Sequence, residues 1–173
     1  LEDNPISETH IEQLANQLPN CQIYSRDPTD QSIAPIVETT VIIAGEKYSI
    51  ADTTELFISD TMLSNDDLVN IGKLTNLTSL NLASNQISDI TPLAQLTNLT
   101  RLYLWWNQIT DITPLAQLTN LTDLGLGHNQ IADIAPLAKL TNLTLLDFND
   151  NPISEQDIED LRSKLPNCEI VNY

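Results

Sequence analysis

From Leu77 to Asn142 the apolar side chains alternate between two spacings. Leu80 and Leu82 are two apart, so both point to one face of a strand while Ser79, Asn81 and Ala83 point to the other. Leu93 and Leu96 are three apart and follow Thr91-Pro92. Threonine as N-cap and proline at the first helical position predict a short helix or 3₁₀ turn there. Leu77, Ile87 and Ile90 join the two segments. Each stretch thus predicts a closed coil of strand, turn and short helical return.

The coil is written three times at a period of 22 residues: LTSLNLASNQISDITPLAQLTN, LTRLYLWWNQITDITPLAQLTN and LTDLGLGHNQIADIAPLAKLTN. Such a period, with leucines and one asparagine at fixed places, marks a leucine-rich repeat. One coil cannot bury its own leucines, but stacked coils share a core and a parallel sheet. The predicted fold is an α/β solenoid, a leucine-rich repeat array with a parallel concave β-sheet. A short helical or 3₁₀ convex side and a C-terminal helical cap complete it.

Asn85, Asn107, Asn129 and Asn151 recur just after the strand. Backbone groups turning inward there lose water, and an amide offers both donors and acceptors, which predicts a stacked ladder. Asp89, Asp111 and Asp133 recur near the start of the return, where helical N–H groups favour an acid. A calcium ladder is the alternative for these three carboxylates.

Residues 53–154 hold five coils, predicting five strands in register. The first is degenerate: Leu56, Ile58, Thr61 and Leu63 take the strand positions, with threonine in place of the ladder asparagine. The last leads into a cap at 155–173. There Ser154 and Asp157 resemble a capping box, and Ile158, Leu161 and Leu165 form one apolar helical face. Residues 1–23 repeat residues 148–170 at 14 of 23 positions, so 1–29 reads as a cap-like helical segment left from a preceding array. Its apolar face (Ile6, Ile11, Leu14, Leu18) is expected to cover the first coil of its own chain, a monomer being favoured over a dimer formed by cap exchange. Residues 30–52 read as a linker and a small hairpin, Val37–Ile43 and Lys47–Ile50 flanking Ala44-Gly45-Glu46. Cys21 and Cys168 hold equivalent places in the two caps, which suggests core packing rather than a disulfide.

Charge narrows the partners. Seven basic against 24 acidic residues give −17, which repels phosphate backbones and anionic lipid surfaces and so excludes nucleic acid. No run approaches the roughly 18 apolar residues of a spanning helix, so no membrane insertion is expected. No Gly-x-Ser-x-Gly elbow, phosphate loop or metal-spaced His/Cys cluster occurs, and the two histidines are His10 and His128. The chain reads as a non-enzyme without a cofactor.

The motif Asn-Gln-Ile-x-Asp-Ile-x-Pro-Leu-Ala resembles the internalin-like leucine-rich repeats of bacterial surface and secreted proteins, over roughly residues 53–173. Ile43–Ile50 and Leu165-Pro166-Asn167-Cys168 are similar to flanks of such arrays in Gram-positive surface proteins. The resemblance implies extracellular or cell-surface presentation and partner binding by the concave sheet. One internal feature agrees with a bacterial source. Asn-Leu-Thr recurs at 76, 98, 120 and 142, and glycans on every coil would crowd in a eukaryotic secretory route.

The first two copies differ at five of 22 positions, namely 79, 81, 83, 84 and 88. Four of these fall on the predicted strand, so the scaffold is constant while one face varies. Placed on the sheet, Phe57, Asn81, Arg101, Tyr103, Trp105, Trp106, Asp123, His128 and Asp147 form the candidate partner-binding strip. Exposed aromatics beside arginine dominate binding hot spots. Gly125 and Gly127 are expected to leave hollows beside Tyr103 and Trp105 for a partner side chain. The competing arrangement lays Trp105 and Trp106 flat over their own sheet. A protein partner with basic groups is one reading of the strip. A glycan stacked on the same tryptophans is the other.

Overall fold

A computed structural model of the protein describes residues 39–172. The N-terminal cap-like segment, with His10, Cys21 and its proposed packing, lies outside these residues. The described part opens on a hairpin, β1 (Thr40–Ile43) and β2 (Glu46–Ser49), paired antiparallel. Ala44 and Gly45 both have positive φ (50° and 84°), the two-residue turn whose twist suits a hairpin.

Then come β3 (Glu55–Phe57), α1 (Asn65–Gly72), and three coils in which a strand is followed by a 3₁₀ turn. These are β4 (Ser79–Asn81) with η1 (Thr91–Gln95), β5 (Arg101–Tyr103) with η2 (Thr113–Gln117), and β6 (Asp123–Gly125) with η3 (Ala135–Lys139). β7 (Leu145–Asp147), α2 (Glu155–Lys164) and β8 (Glu169–Val171) end the chain. β3 to β8 form one parallel sheet in sequence order, with Glu55, Ser79, Arg101, Asp123 and Leu145 in register. The sheet therefore has six strands where five were expected. The added strand is β8: after α2 the chain returns to the sheet, and Glu169–Val171 pairs with β7.

The apolar rhythm is satisfied throughout. Leu77, Leu80, Leu82, Leu93 and Leu96 are fully buried, as are their counterparts one and two coils on. Val41 and Ile43 of the hairpin enter the same core at one end, and Ile158, Leu161 and Leu165 of the cap close it at the other. Cys168 packs half-buried against the core as a free thiol, and burial, with Glu169 beside it, pushes it up to about 11.

The asparagine ladder forms as expected. Asn107 Nδ2 donates to Leu82 O and Leu104 O (3.0 Å each), and its Oδ1 accepts from Asn85 N and Ile87 N (3.2 and 2.8 Å). Thr61 terminates the ladder, its amide and hydroxyl both donating to Asn85 Oδ1. A second ladder runs through the Asn-Leu-Thr copies. Asn76, Asn98, Asn120 and Asn142 each donate to a carbonyl one coil back, and the hydroxyls of Thr78, Thr100, Thr122 and Thr144 do the same. That motif is thus part of the scaffold.

The 3₁₀ turns correct one expectation. Thr91 is the first turn residue and not its cap; Asp89 Oδ1 accepts from Thr91 N at 2.8 Å, and Asp111 and Asp133 repeat this at Thr113 and Ala135. Hydrogen bonds from the Thr91 and Thr113 side chains and amides hold the Asp89 and Asp111 carboxyls below the ordinary carboxylate value. Each carboxylate serves its own coil. Among the described residues no group of three or more His, Cys, Asp or Glu is placed to hold a metal.

At α1 the same chemistry joins hairpin to coil. Ser64 and Asp67 make a reciprocal capping box, and Asp67 Oδ1 also accepts from Ala44 N (2.8 Å). Burial pushes the Asp67 carboxyl up, but bonds from the Ser64 hydroxyl and the Ala44 and Ser64 amides outweigh it and leave the group below 3.8. A carboxyl lowered on folding stabilises the protein fully above its unfolded value, and the contribution fades as pH falls through the folded one. Asp67→Asn should therefore lose about 1 kcal/mol at neutral pH and flatten the acid limb of stability. Urea unfolding across that limb checks this; an unchanged acid slope would contradict it.

Candidate functional site

The outward positions of the sheet make columns, as the register requires. Tyr103 and Trp105 stand on β5 and just beyond it, stacked at 4.7 Å and 7°. Trp105 leans toward the next coils. A Cβ built on Gly125 would lie 2.3 Å from Trp105 Cε2, and one on Gly127 3.1 Å from Cδ1. Its Nε1 donates to Asp147 Oδ2 at 3.0 Å, two coils away. The hollows expected beside these rings are thus filled by the Trp105 indole itself. For Trp105 the flat-lying alternative is the observed one.

Trp106 differs. It is 59% exposed, and its backbone is left-handed (φ 57°). Asp60, Ser84, His128 and Asp150 share that conformation, one per coil. The backbone bonds Ser84 N to Trp105 O, Trp106 N to Gly127 O and His128 N to Asn149 O hold the column in step. The indole stacks on the His128 ring at 3.6 Å and 15°, and His128 Nδ1 lies 3.2 Å from Asp150 Oδ2. A bulky residue in the left-handed region costs about 1–2 kcal/mol, and with most of its surface in water Trp106 offsets little of that by burial.

At the other edge, Arg101 lies across β4. Its Nε donates to Ser79 Oγ (3.3 Å) and an Nη reaches Glu55 Oε1 (3.0 Å), which leaves Ser79 buried. Asp123 accepts from the Thr122 hydroxyl, and Asn81 Oδ1 accepts from Ala83 N. Phe57 is 60% exposed and stands two strands from Tyr103, with Asn81 between them.

The repeat profile described as leucine-rich repeats (two copies) matches residues 97–139 and 119–163, and a single-repeat profile matches 73–90. The structure of internalin C2 from Listeria monocytogenes is 46% identical over 69% of this chain, with a TM-score of 0.63. The chain is an internalin-like leucine-rich repeat protein. Internalin F from the same species is 35% identical over 68% of the chain (TM-score 0.57), and a Leptospira interrogans leucine-rich repeat protein is 35% identical over 60% (TM-score 0.55). No curated protein matches the chain. It spans 52% of internalin C2, 33% of internalin F and 27% of the Leptospira protein.

In this internalin-like array the sheet brings the candidates together in two groups, Tyr103, Trp105 and Asp147 in one and Trp106 with His128 in the other, while Arg101 pairs with Glu55 and Phe57 lies two strands from Tyr103. Glu55 and Asp150 are further members of the strip, as the partners of Arg101 and His128. Their columns are legible in the sequence, but the pairings depend on rotamers that a repeat pattern does not encode. No helix among the described residues is long and apolar enough to cross a membrane.

Proposed function

We propose that this is a non-catalytic binding module, presented outside a bacterial cell, that docks a protein partner on its concave sheet. An internalin-like fold supports a protein-interaction role in general. The strip around Phe57, Asn81, Arg101, Tyr103, Trp105, Trp106, Asp123, His128 and Asp147 is the proposed surface. The observation that carries it is Trp106, a large apolar ring held in water in a left-handed backbone, on the face where neighbouring copies differ. The reading favours protein over glycan. A sugar needs a free ring face, and the Trp105 ring is packed against Tyr103 and over Gly125, leaving the outer face of Trp106 for stacking.

Both tryptophans of the chain lie in this strip, so its tryptophan emission, excited apart from tyrosine, reports on the strip. Titration with purified extracellular protein domains and with oligosaccharides separates the readings. A protein is expected to shift the emission, and Trp106→Ala to weaken it by at least about 2 kcal/mol, as for a hot spot. Stability should stay within about 0.5 kcal/mol, as for a surface change. Binding by oligosaccharides alone, or full affinity in Trp106→Ala, would overturn the proposal.

A further inference from the structure

We propose that the gap between Trp106 and Asp60, floored by Ser84, seats a single arginine side chain of the partner. This deepens the docking reading and rests on it. The three residues stand in one column, one per coil, with nearly equal left-handed backbones (φ 57°, 59° and 57° for Asp60, Ser84 and Trp106). Their side chains therefore leave the sheet in the same direction. On one side the indole is covered by His128, nearly parallel at 3.6 Å and itself held by Asp150. Because those rings stack along the column, the opposite indole face looks toward Ser84, and the residue is 59% exposed.

Ser84 is small and half-buried, so nothing tall stands in front of that face. Asp60 lies two coils from Trp106, about 10 Å at the usual strand spacing. It is exposed and forms no ion pair among the described residues. A planar cation stacked on the indole, within about 6 Å of its centroid, occupies the near half of the gap. Its outer edge then faces the Asp60 carboxylate. Guanidinium fits better than ammonium, because it combines a flat stacking face with an in-plane fork for a carboxylate. The net charge of −17 draws such a group in.

The probe is a short neutral-ended peptide with one arginine, compared at matched ionic strength with the same peptide carrying neutral, isosteric citrulline. The readout is the two indole N–H resonances. Arginine should shift the Trp106 resonance saturably and leave that of Trp105 in place, while citrulline does neither. Asp60→Asn should weaken the effect about threefold to fivefold, the scale of an exposed ion pair, and the shifts that arginine also gives the Asp60 and Ser84 backbone amides should vanish in Trp106→Leu. Equal shifts with citrulline, no saturable Trp106 shift, or indifference to Asp60→Asn would overturn the arginine seat. If the seat fails while Trp106→Ala still abolishes protein binding, the docking face stands without it. If the peptide binds as stated but no protein depends on Trp106, the docking reading fails.

Discussion

Asn107→Ala is expected to lower stability by roughly 2–6 kcal/mol, because the Asn85 and Ile87 N–H groups are left without a partner at about 1–3 kcal/mol each, while Leu82 O and Leu104 O keep the Asn85 and Asn129 amides. The amide supplies an acceptor to Asn85 N and Ile87 N, and donors to Leu82 O and Leu104 O. The residue is 8% exposed, so water replaces little of this. The loss rivals that of a core leucine cut to alanine, about 2–5 kcal/mol. In a solenoid each coil contacts only its neighbours, so a failed rung also weakens coupling between the two halves. Chemical unfolding followed by circular dichroism should show a lower midpoint and a broadened or two-step transition. A loss below about 1 kcal/mol with an unchanged single transition would mean that the ladder is decoration.

Gly125→Ala should expel the Trp105 indole from the sheet. The new methyl would sit 2.3–2.6 Å from Cε2, Cζ2 and Nε1 of the ring, and the ring cannot yield locally. It is held by the Tyr103 stack and by Asp147. Overpacking of this kind costs about 1–3 kcal/mol, and the expelled ring loses both partners. In a Trp106→Phe background, emission should move to the red and quenching by acrylamide should rise. Gly127→Ala, whose methyl meets the ring at 3.1 Å, should give a smaller change of the same kind. Unaltered emission in Gly125→Ala would show that Trp105 does not rest on that glycine.

The scaffold was legible because it is repetitive. A leucine at each of the same places, three times over, leaves one way to close the core, and Asn85, Asn107, Asn129 and Asn151 fall where the ladder needs them. Thr61 standing in for asparagine was legible for the same reason. β8 was missed because Glu169–Val171 is too short to show an alternation and pairs only through the return of the cap. Asp89 was placed near the right turn, but threonine was given its capping role; an aspartate two residues before the acceptor-seeking N–H reaches it directly.

In the candidate site the columns were right and the surface relief was not. The sequence shows glycine beside tryptophan, which is equally compatible with an open hollow and with a ring lying in it. What decides is Asp147, two coils on, whose carboxylate takes the indole N–H. Arg101 likewise looked available from its position, yet Glu55 two strands away engages it. Choices of this kind lie between coils, beyond the reach of a pattern read within one.

Docking on the concave strip is decided by hydrogen exchange with and without a partner recovered by the fluorescence titration. Binding should slow exchange at residues 55–60, 79–84, 101–106 and 123–128, with the 3₁₀ turns η1 to η3 unaffected. Protection confined to those turns, with the concave strip exchanging as before, would contradict it.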